Sequence, residues 1–190
     1  ASVWAEKNEA PVLLSTYTRN LQHQIDQELD RLYPDPSLKA RRVVVRKGRE
    51  NYLCLLNMEE ALRGVGTNRH DAIALGLMAR WAARTRDGDL TGGDFPSWLV
   101  DLLGARRTLD LSDHHGECIY SACQHYQKCY IERGVRRARR ADLVIANHAL
   151  VMVQAARGSL DNQSRPTHFV FDEGHHVFEA ADSAFSALLS

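Results

Sequence analysis

An α/β protein, with a parallel sheet and a mainly helical insertion, is what this chain predicts, and three observations carry the prediction. Short apolar runs bounded by polar turns stand at residues 11–16 (Pro-Val-Leu-Leu-Ser-Thr), 42–46, 142–147 and 168–172. Runs of that length and uniformity suit strands buried on both faces. Helical stretches follow or separate some of them. Between residues 47 and about 138 the texture changes to helices and loops with no convincing strand, and all four cysteines lie there.

Residues 1–7 read as a helix cut midway, and residues 11–16 as the first strand. From Thr18 to about Leu32 a helix is expected, with Leu21, Ile25, Leu29 and Leu32 along one face and Pro34 and Pro36 ending it. Thr18 suits its cap. Asp71 to Arg84 reads as a second amphipathic helix, turning Ile73, Leu77, Met78 and Trp81 toward a core. Asp87-Gly88-Asp89 and Gly92-Gly93-Asp94 then break the chain, and Ser97 suits the cap of a short helix through Leu103. The expected organisation is residues 1–46, an insertion over 47–138, and a continuation over 139–190.

With 190 residues, 44% hydrophobic and 25% charged, the composition is that of an ordinary globular chain long enough for a real core. Lys and Arg equal Asp and Glu at 24 each, so net charge points to no polyanionic partner. Distribution is more informative. Basic residues cluster at Arg41, Arg42, Arg46, Lys47 and Arg49, and again at Arg133, Arg136, Arg137, Arg139 and Arg140. Each cluster suits a solvated helix face as well as a nucleic acid. No apolar run approaches a membrane span and no secretory signal opens the chain, so a cytoplasmic location and no membrane partner are expected.

Residues 168–175, His-Phe-Val-Phe-Asp-Glu-Gly-His, read as a buried strand delivering two adjacent carboxylates, Asp172 and Glu173, to a turn. A nucleoside triphosphatase needs one carboxylate to hold Mg²⁺ through its water shell and a second group to position or deprotonate the attacking water. Adjacent strand residues face opposite ways, and Gly174 would permit the sharp exit. The plainer reading is an acidic turn that caps the following helix.

Three of the cysteines, Cys118, Cys123 and Cys129, crowd into a dozen residues, with Cys54 far upstream. A shared metal explains that better than disulfides in a reducing compartment or independent core positions. Structural zinc usually takes a close Cys-x-x-Cys pair, whereas the gaps here are four and five residues, which favours the wider corners of an iron-sulfur cube. His114, His115 and His125 lie near enough in sequence to complete a zinc site instead, or to be surface and supporting groups.

Four motifs in order now carry a resemblance: residues 14–22 (Leu-Ser-Thr-Tyr-Thr-Arg-Asn-Leu-Gln), residues 47–54 (Lys-Gly-Arg-Glu-Asn-Tyr-Leu-Cys), the cysteine triplet, and residues 146–150 (Ala-Asn-His-Ala-Leu) ahead of Asp172-Glu173-Gly174-His175. The chain resembles the iron-sulfur DNA helicases of the XPD/DinG type, with the bacterial DinG-like ATP-dependent helicases nearer. The resemblance implies a partial RecA-like motor domain interrupted by a cluster domain. It implies a [4Fe-4S] cluster on Cys54, Cys118, Cys123 and Cys129, and a DEAH-type box with Asp172 on Mg²⁺, Glu173 as general base and His175 beside them. Ser15, Thr16 and Thr18, with Asn20 and Gln22, match the segment that grips single-stranded DNA. Lys47 and Arg49 enter the cluster domain, where DNA contact and stabilisation of the cluster are both open.

Implied as well are ATP, single-stranded or forked DNA, 5′ to 3′ translocation, a cluster-held lobe acting as the wedge, and a place in DNA repair. Tyr52, Tyr120, Tyr126 and Tyr130 near the cysteines suit stacking on unpaired bases, or plain packing. No Gly-x-x-x-x-Gly-Lys-Ser/Thr loop occurs in the 190 residues. The expectation is therefore a fragment, inactive alone, whose parent supplies the triphosphate loop and a second motor domain. A stand-alone metal-cluster module that binds single strands or senses redox state is the rival reading.

Overall fold

The computed structural model describes residues 11–66, 69–114, 117–156 and 168–186. The reading of residues 1–7 as a helix lies outside them. The chain divides into two compact units, one of Ala1–Lys47 with Val135–Ser190 and one of Gly48–Gly134.

Among the described residues the first unit is built on four strands, β1 (Val12–Thr16), β2 (Val43–Val45), β3 (Leu143–Asn147) and β4 (His168–Phe171). All pair in parallel, in the order β2-β3-β1-β4. Val12 stands beside Leu143 on one side and His168 on the other, so the C-terminal ends of β1, β3 and β4 form one edge. β1 and β3 are flanked by strands on both sides and are almost wholly buried, as their unbroken apolar runs require.

β4 corrects an expectation. The sequence predicts a buried strand, yet Phe169, Val170 and Phe171 are 41%, 46% and 38% exposed. Its apolar run is as uniform as the others, but it ends the sheet and, among the described residues, has a neighbour only in β1. Burial here depends on what lies beside the strand, which residue type does not reveal.

Helix α1 (Arg19–Leu32) follows β1, and Thr18 in extended conformation caps it by accepting from Leu21 N at 3.2 Å. Such a cap contributes about 1 kcal/mol. Ile25 and Leu29 pack toward Val12, Val43, Leu143 and Ile145, while Leu32, placed on the same stripe by spacing, is exposed. Pro36 does more than end a helix. It opens a second one, α2 (Pro36–Arg42), with Asp35 accepting from Ser37 N at 2.8 Å. From the first basic cluster, Arg42 is committed to Asp142 at 2.5 Å beside the start of β3.

The second unit contains α3 (Leu55–Arg63), α4 (Arg69–Ala82), α5 (Trp98–Leu103), α6 (Ala105–Asp110) and the first half of α7 (Tyr130–Ala138). Met78, Leu53, Leu99 and Leu111 form its buried centre. Helix α4 buries Ala74, Leu75 and Met78, whereas Ile73 is 61% exposed, because the face that packs is rotated by about one residue from the stripe of largest side chains. Ser97 precedes α5, but its hydroxyl makes no capping bond. Among the described residues of this unit no strand forms, and two isolated antiparallel bridges occur, Tyr52 to Asp89 and Leu53 to Ser112. Gly88, at φ +67°, lies flat on the Tyr130 ring, where a Cβ would collide. Among the described residues no helix is long and apolar enough to cross a membrane.

Helix α8 (His148–Ala156) follows β3, with Asn147 Oδ1 accepting from Leu150 N at 2.9 Å, and α9 (Val177–Ser186) follows β4.

Candidate functional site

Ligands of open parallel sheets gather outside the carboxyl ends of the strands, where helix N-termini and strand-end side chains converge. That edge of the first unit carries the predicted carboxylates. Asp172 follows β4 directly, with its amide donating to Ser15 O at 2.8 Å, and its side chain is exposed. Glu173, exposed as well, has φ +51° and ψ +49°. The sharp exit is therefore made by Glu173 and not, as the sequence suggested, by Gly174, whose φ is not positive. A left-handed non-glycine residue costs roughly 1–3 kcal/mol and persists where its surroundings over-determine it. Both carboxylates stand beyond the end of β4 at Phe171, so strand alternation does not set their directions.

His175 is exposed, and its ring centroid lies 4.0 Å from that of His176. His176 stacks on Tyr17, centroids 3.7 Å apart and planes 12° apart. At the end of β1, Ser15 and Thr16 are both 0% exposed. Ser15 Oγ lies 2.6 Å from His148 Nδ1, and Thr16 Oγ1 donates to Thr18 O at 3.2 Å. Both hydroxyls are turned inward and already bonded. Thr18 is half-buried with its hydroxyl on the helix cap. Asn20 and Gln22 belong to α1, but their side chains lie outside what is described.

In the second unit, Cys54, Cys118, Cys123 and Cys129 all line one cavity, together with Arg49, Asp113, Tyr120, His125, Tyr126 and Glu132. Cys54 occupies the cap position of α3 and Cys129 immediately precedes α7. Burial pushes both thiols up. The backbone N–H groups of Leu56 and Asn57 for Cys54, and of Glu132 and Ile131 for Cys129, oppose that by favouring thiolate. Tyr120 N donates to Cys118 Sγ at 3.4 Å.

Arg49 is held by Asp113 at 2.5 Å and stands 3.9 Å from Glu132, with its guanidinium 5.1 Å from the Tyr120 ring centre. Burial works against its charge, but Asp113, together with Cys118 and Tyr120, raises the pKa. Its Nη2 is buried without an acceptor. Lys47, the other basic residue expected at this entrance, is half-buried at the end of the first unit.

Four thiols and an orphaned donor around one cavity suit a sulfur-rich anionic group, since thiolate or sulfide would give Nη2 its missing acceptor. Among the described residues no group of three or more His, Cys, Asp or Glu side chains is gathered so as to hold a metal ion as it stands. His125 lines the cavity but is engaged with Glu59 at 2.7 Å. His114 is not among the lining residues, and His115 lies outside the described ones. Of the tyrosines, Tyr120 and Tyr126 line the cavity, while Tyr130 is buried and donates to Ala82 O at 2.7 Å.

No family model matches the chain. Among curated proteins it is 30% identical over 199 residues to the ATP-dependent DNA helicase DinG of Photobacterium profundum, covering 96% of this chain and 27% of that protein. It is 28% identical over 191 residues to the ATP-dependent DNA helicase YoaA of Escherichia coli, covering 94% and 28% respectively. Over nearly its whole length the chain is similar to DinG and YoaA proteins. A third relative, the 3'-5' exonuclease DinG of Bacillus subtilis, is 28% identical over 185 residues, covering 95% of this chain and 19% of its own length. The chain thus corresponds to a segment of the DinG and YoaA proteins, spanning 19 to 28% of these three.

Three contributors to the strand-end site escaped the residue-by-residue reading. His148 belongs to the quoted Ala-Asn-His-Ala-Leu motif, and a histidine directly behind a buried apolar run was signal enough to single it out. Tyr17 and His176 meet only through the parallel pairing of β1 and β4, and no local pattern announces that.

Proposed function

We infer that this chain is a segment of an ATP-dependent DNA helicase, comprising part of its first RecA-like motor domain and an inserted cluster domain. The observation that supports this most directly is the pair Asp172–Glu173 at the carboxyl end of a parallel strand, with Asp172 bonded through its backbone to the end of β1. In that reading Asp172 holds Mg²⁺ through bound water, and Glu173 accepts the proton of the water that attacks the γ-phosphate. The remainder of the longer protein supplies the cradle for the triphosphate and the second motor domain.

Single-stranded DNA passes the end of β1, with Thr18 and the start of α1 nearest its phosphates, while Ser15 and Thr16 shape the backbone they reach. Movement is 5′ to 3′, and the second unit acts as the wedge that parts the duplex. Cys54, Cys118, Cys123 and Cys129 hold a [4Fe-4S] cluster. When bound, the cluster ties four distant points of a loop-rich unit into one rigid body and adds a one-electron redox centre.

The test is Glu173→Gln in the full-length parent. ATP hydrolysis and unwinding should fall by at least about a hundredfold, the scale of a lost general base, while iron and sulfide content stays at the wild-type level. Persistent hydrolysis and unwinding in the variant would sink the role of Glu173, a wild-type parent that unwinds no duplex would sink the helicase reading, and a colourless wild-type protein loaded with zinc would sink the cluster.

A further inference from the structure

His148 is 1% exposed, and both of its ring nitrogens are used. Nε2 lies 3.0 Å from the Asp172 carbonyl oxygen. A carbonyl only accepts, so Nε2 carries the proton. Burial pushes the ring's pKa below its ordinary value, which keeps it neutral. Nδ1 is then an acceptor, and the Ser15 hydroxyl donates to it across 2.6 Å. Asp172 N donates in turn to Ser15 O at 2.8 Å, closing a ring of bonds through the ends of β1 and β4 and the start of α8. Ser15 is not a nucleophile, because no substrate reaches a hydroxyl that is 0% exposed.

The carbonyl that His148 holds belongs to the peptide joining Asp172 to Glu173, the residue in the left-handed conformation. Rotating that peptide is how Glu173 would return to an ordinary backbone conformation, and the rotation breaks the bond to Nε2. We propose that His148 is a positioning residue: it locks the Asp172–Glu173 peptide, and through Ser15 it makes that lock depend on the end of β1. The inference rests on the reading of Asp172 and Glu173 as the hydrolytic carboxylates. It adds that nucleic acid at the end of β1 and the placement of Glu173 are linked through one imidazole.

The test uses the full-length parent, with nucleotide sites counted by a fluorescent non-hydrolysable ATP analogue. His148→Gln keeps a donor toward Asp172, whereas His148→Ala keeps none and His148→Asn is too short to reach it. DNA-stimulated kcat per site should fall about tenfold or more in His148→Ala with the KM for ATP within about twofold, and should largely recover in His148→Gln but not in His148→Asn. Wild-type kcat per site in His148→Ala, equal recovery by Asn and Gln, or loss of nucleotide binding in step with kcat would each overturn the proposal. Ser15→Ala removes a single buried hydroxyl and reports even if the His148 variants do not fold. It should cut stimulation by DNA several-fold, and undiminished stimulation overturns the link to β1. Glu173→Gln in the same series separates the two failures: hydrolysis that persists there removes the underlying reading, whereas its loss beside an active His148→Ala removes only the role of His148.

Discussion

Arg49 shows how one side chain can be reassigned by its surroundings. In the sequence it belongs to a basic run beside Cys54 and suits DNA or cofactor equally. In the structure Asp113 and Glu132 hold it against the Tyr120 ring, and its Nη2 is buried without an acceptor in the wall of the cysteine cavity. A buried unsatisfied donor costs about 1–3 kcal/mol, more when charged, so the group that fills the cavity should relieve it. If the four thiols hold a cluster, Arg49→Gln in the full-length protein is expected to lose iron and sulfide faster than wild type on exposure to air, with Arg49→Lys between them. Visible absorbance followed over time checks this, and identical decay in all three would refute the contact. A primary role in binding DNA would instead show as weaker single-strand affinity with an unchanged cluster.

Among the secondary-structure elements, β4 departs furthest from its sequence pattern. A run of Phe-Val-Phe reads as a strand covered on both faces, and the chain places it at the sheet margin with Phe169 and Phe171 stacked 6.2 Å apart and exposed. An apolar strand with one open edge is a template for pairing with another chain. Val170→Lys should therefore lower self-association of the isolated 190-residue chain in light-scattering or sedimentation measurements, and unchanged association would mean that this edge is not the adhesive one. The other three strands and α1 were legible because period and capping act locally: Thr18 caps where it was expected to, and the apolar runs of β1 and β3 are buried as uniform runs are. Ile73 and Leu32 were misplaced because spacing identifies a helical face without saying where its partner lies.

Two compact units follow from two kinds of cohesion. The first has a four-stranded parallel sheet with its own buried centre around Ile145, and the second has a helical core around Met78 with a cysteine-lined cavity beside α3 and α7. If the four thiols hold a cluster, part of the folding free energy of the second unit is binding free energy. Removing iron by oxidation and chelation should then raise amide exchange across residues 48–134 and leave β1 and β3 protected. Hydrogen exchange read by mass spectrometry checks this, and equal protection of residues 48–134 with and without iron would show that the cavity carries none of the unit's stability.

Composition and order along the chain were enough to establish the alternation of apolar runs and helices, the helical insertion that collects the cysteines, and the carboxylate pair after the last strand. These are properties of residue type and spacing, and they hold before any long-range contact forms. The exposure of β4, the inward turn of Ser15 and Thr16, the left-handed conformation at Glu173 and the bridge through His148 are of another kind. Each depends on which strand lies beside which, and parallel pairing joins positions more than a hundred residues apart, where no local pattern carries the information.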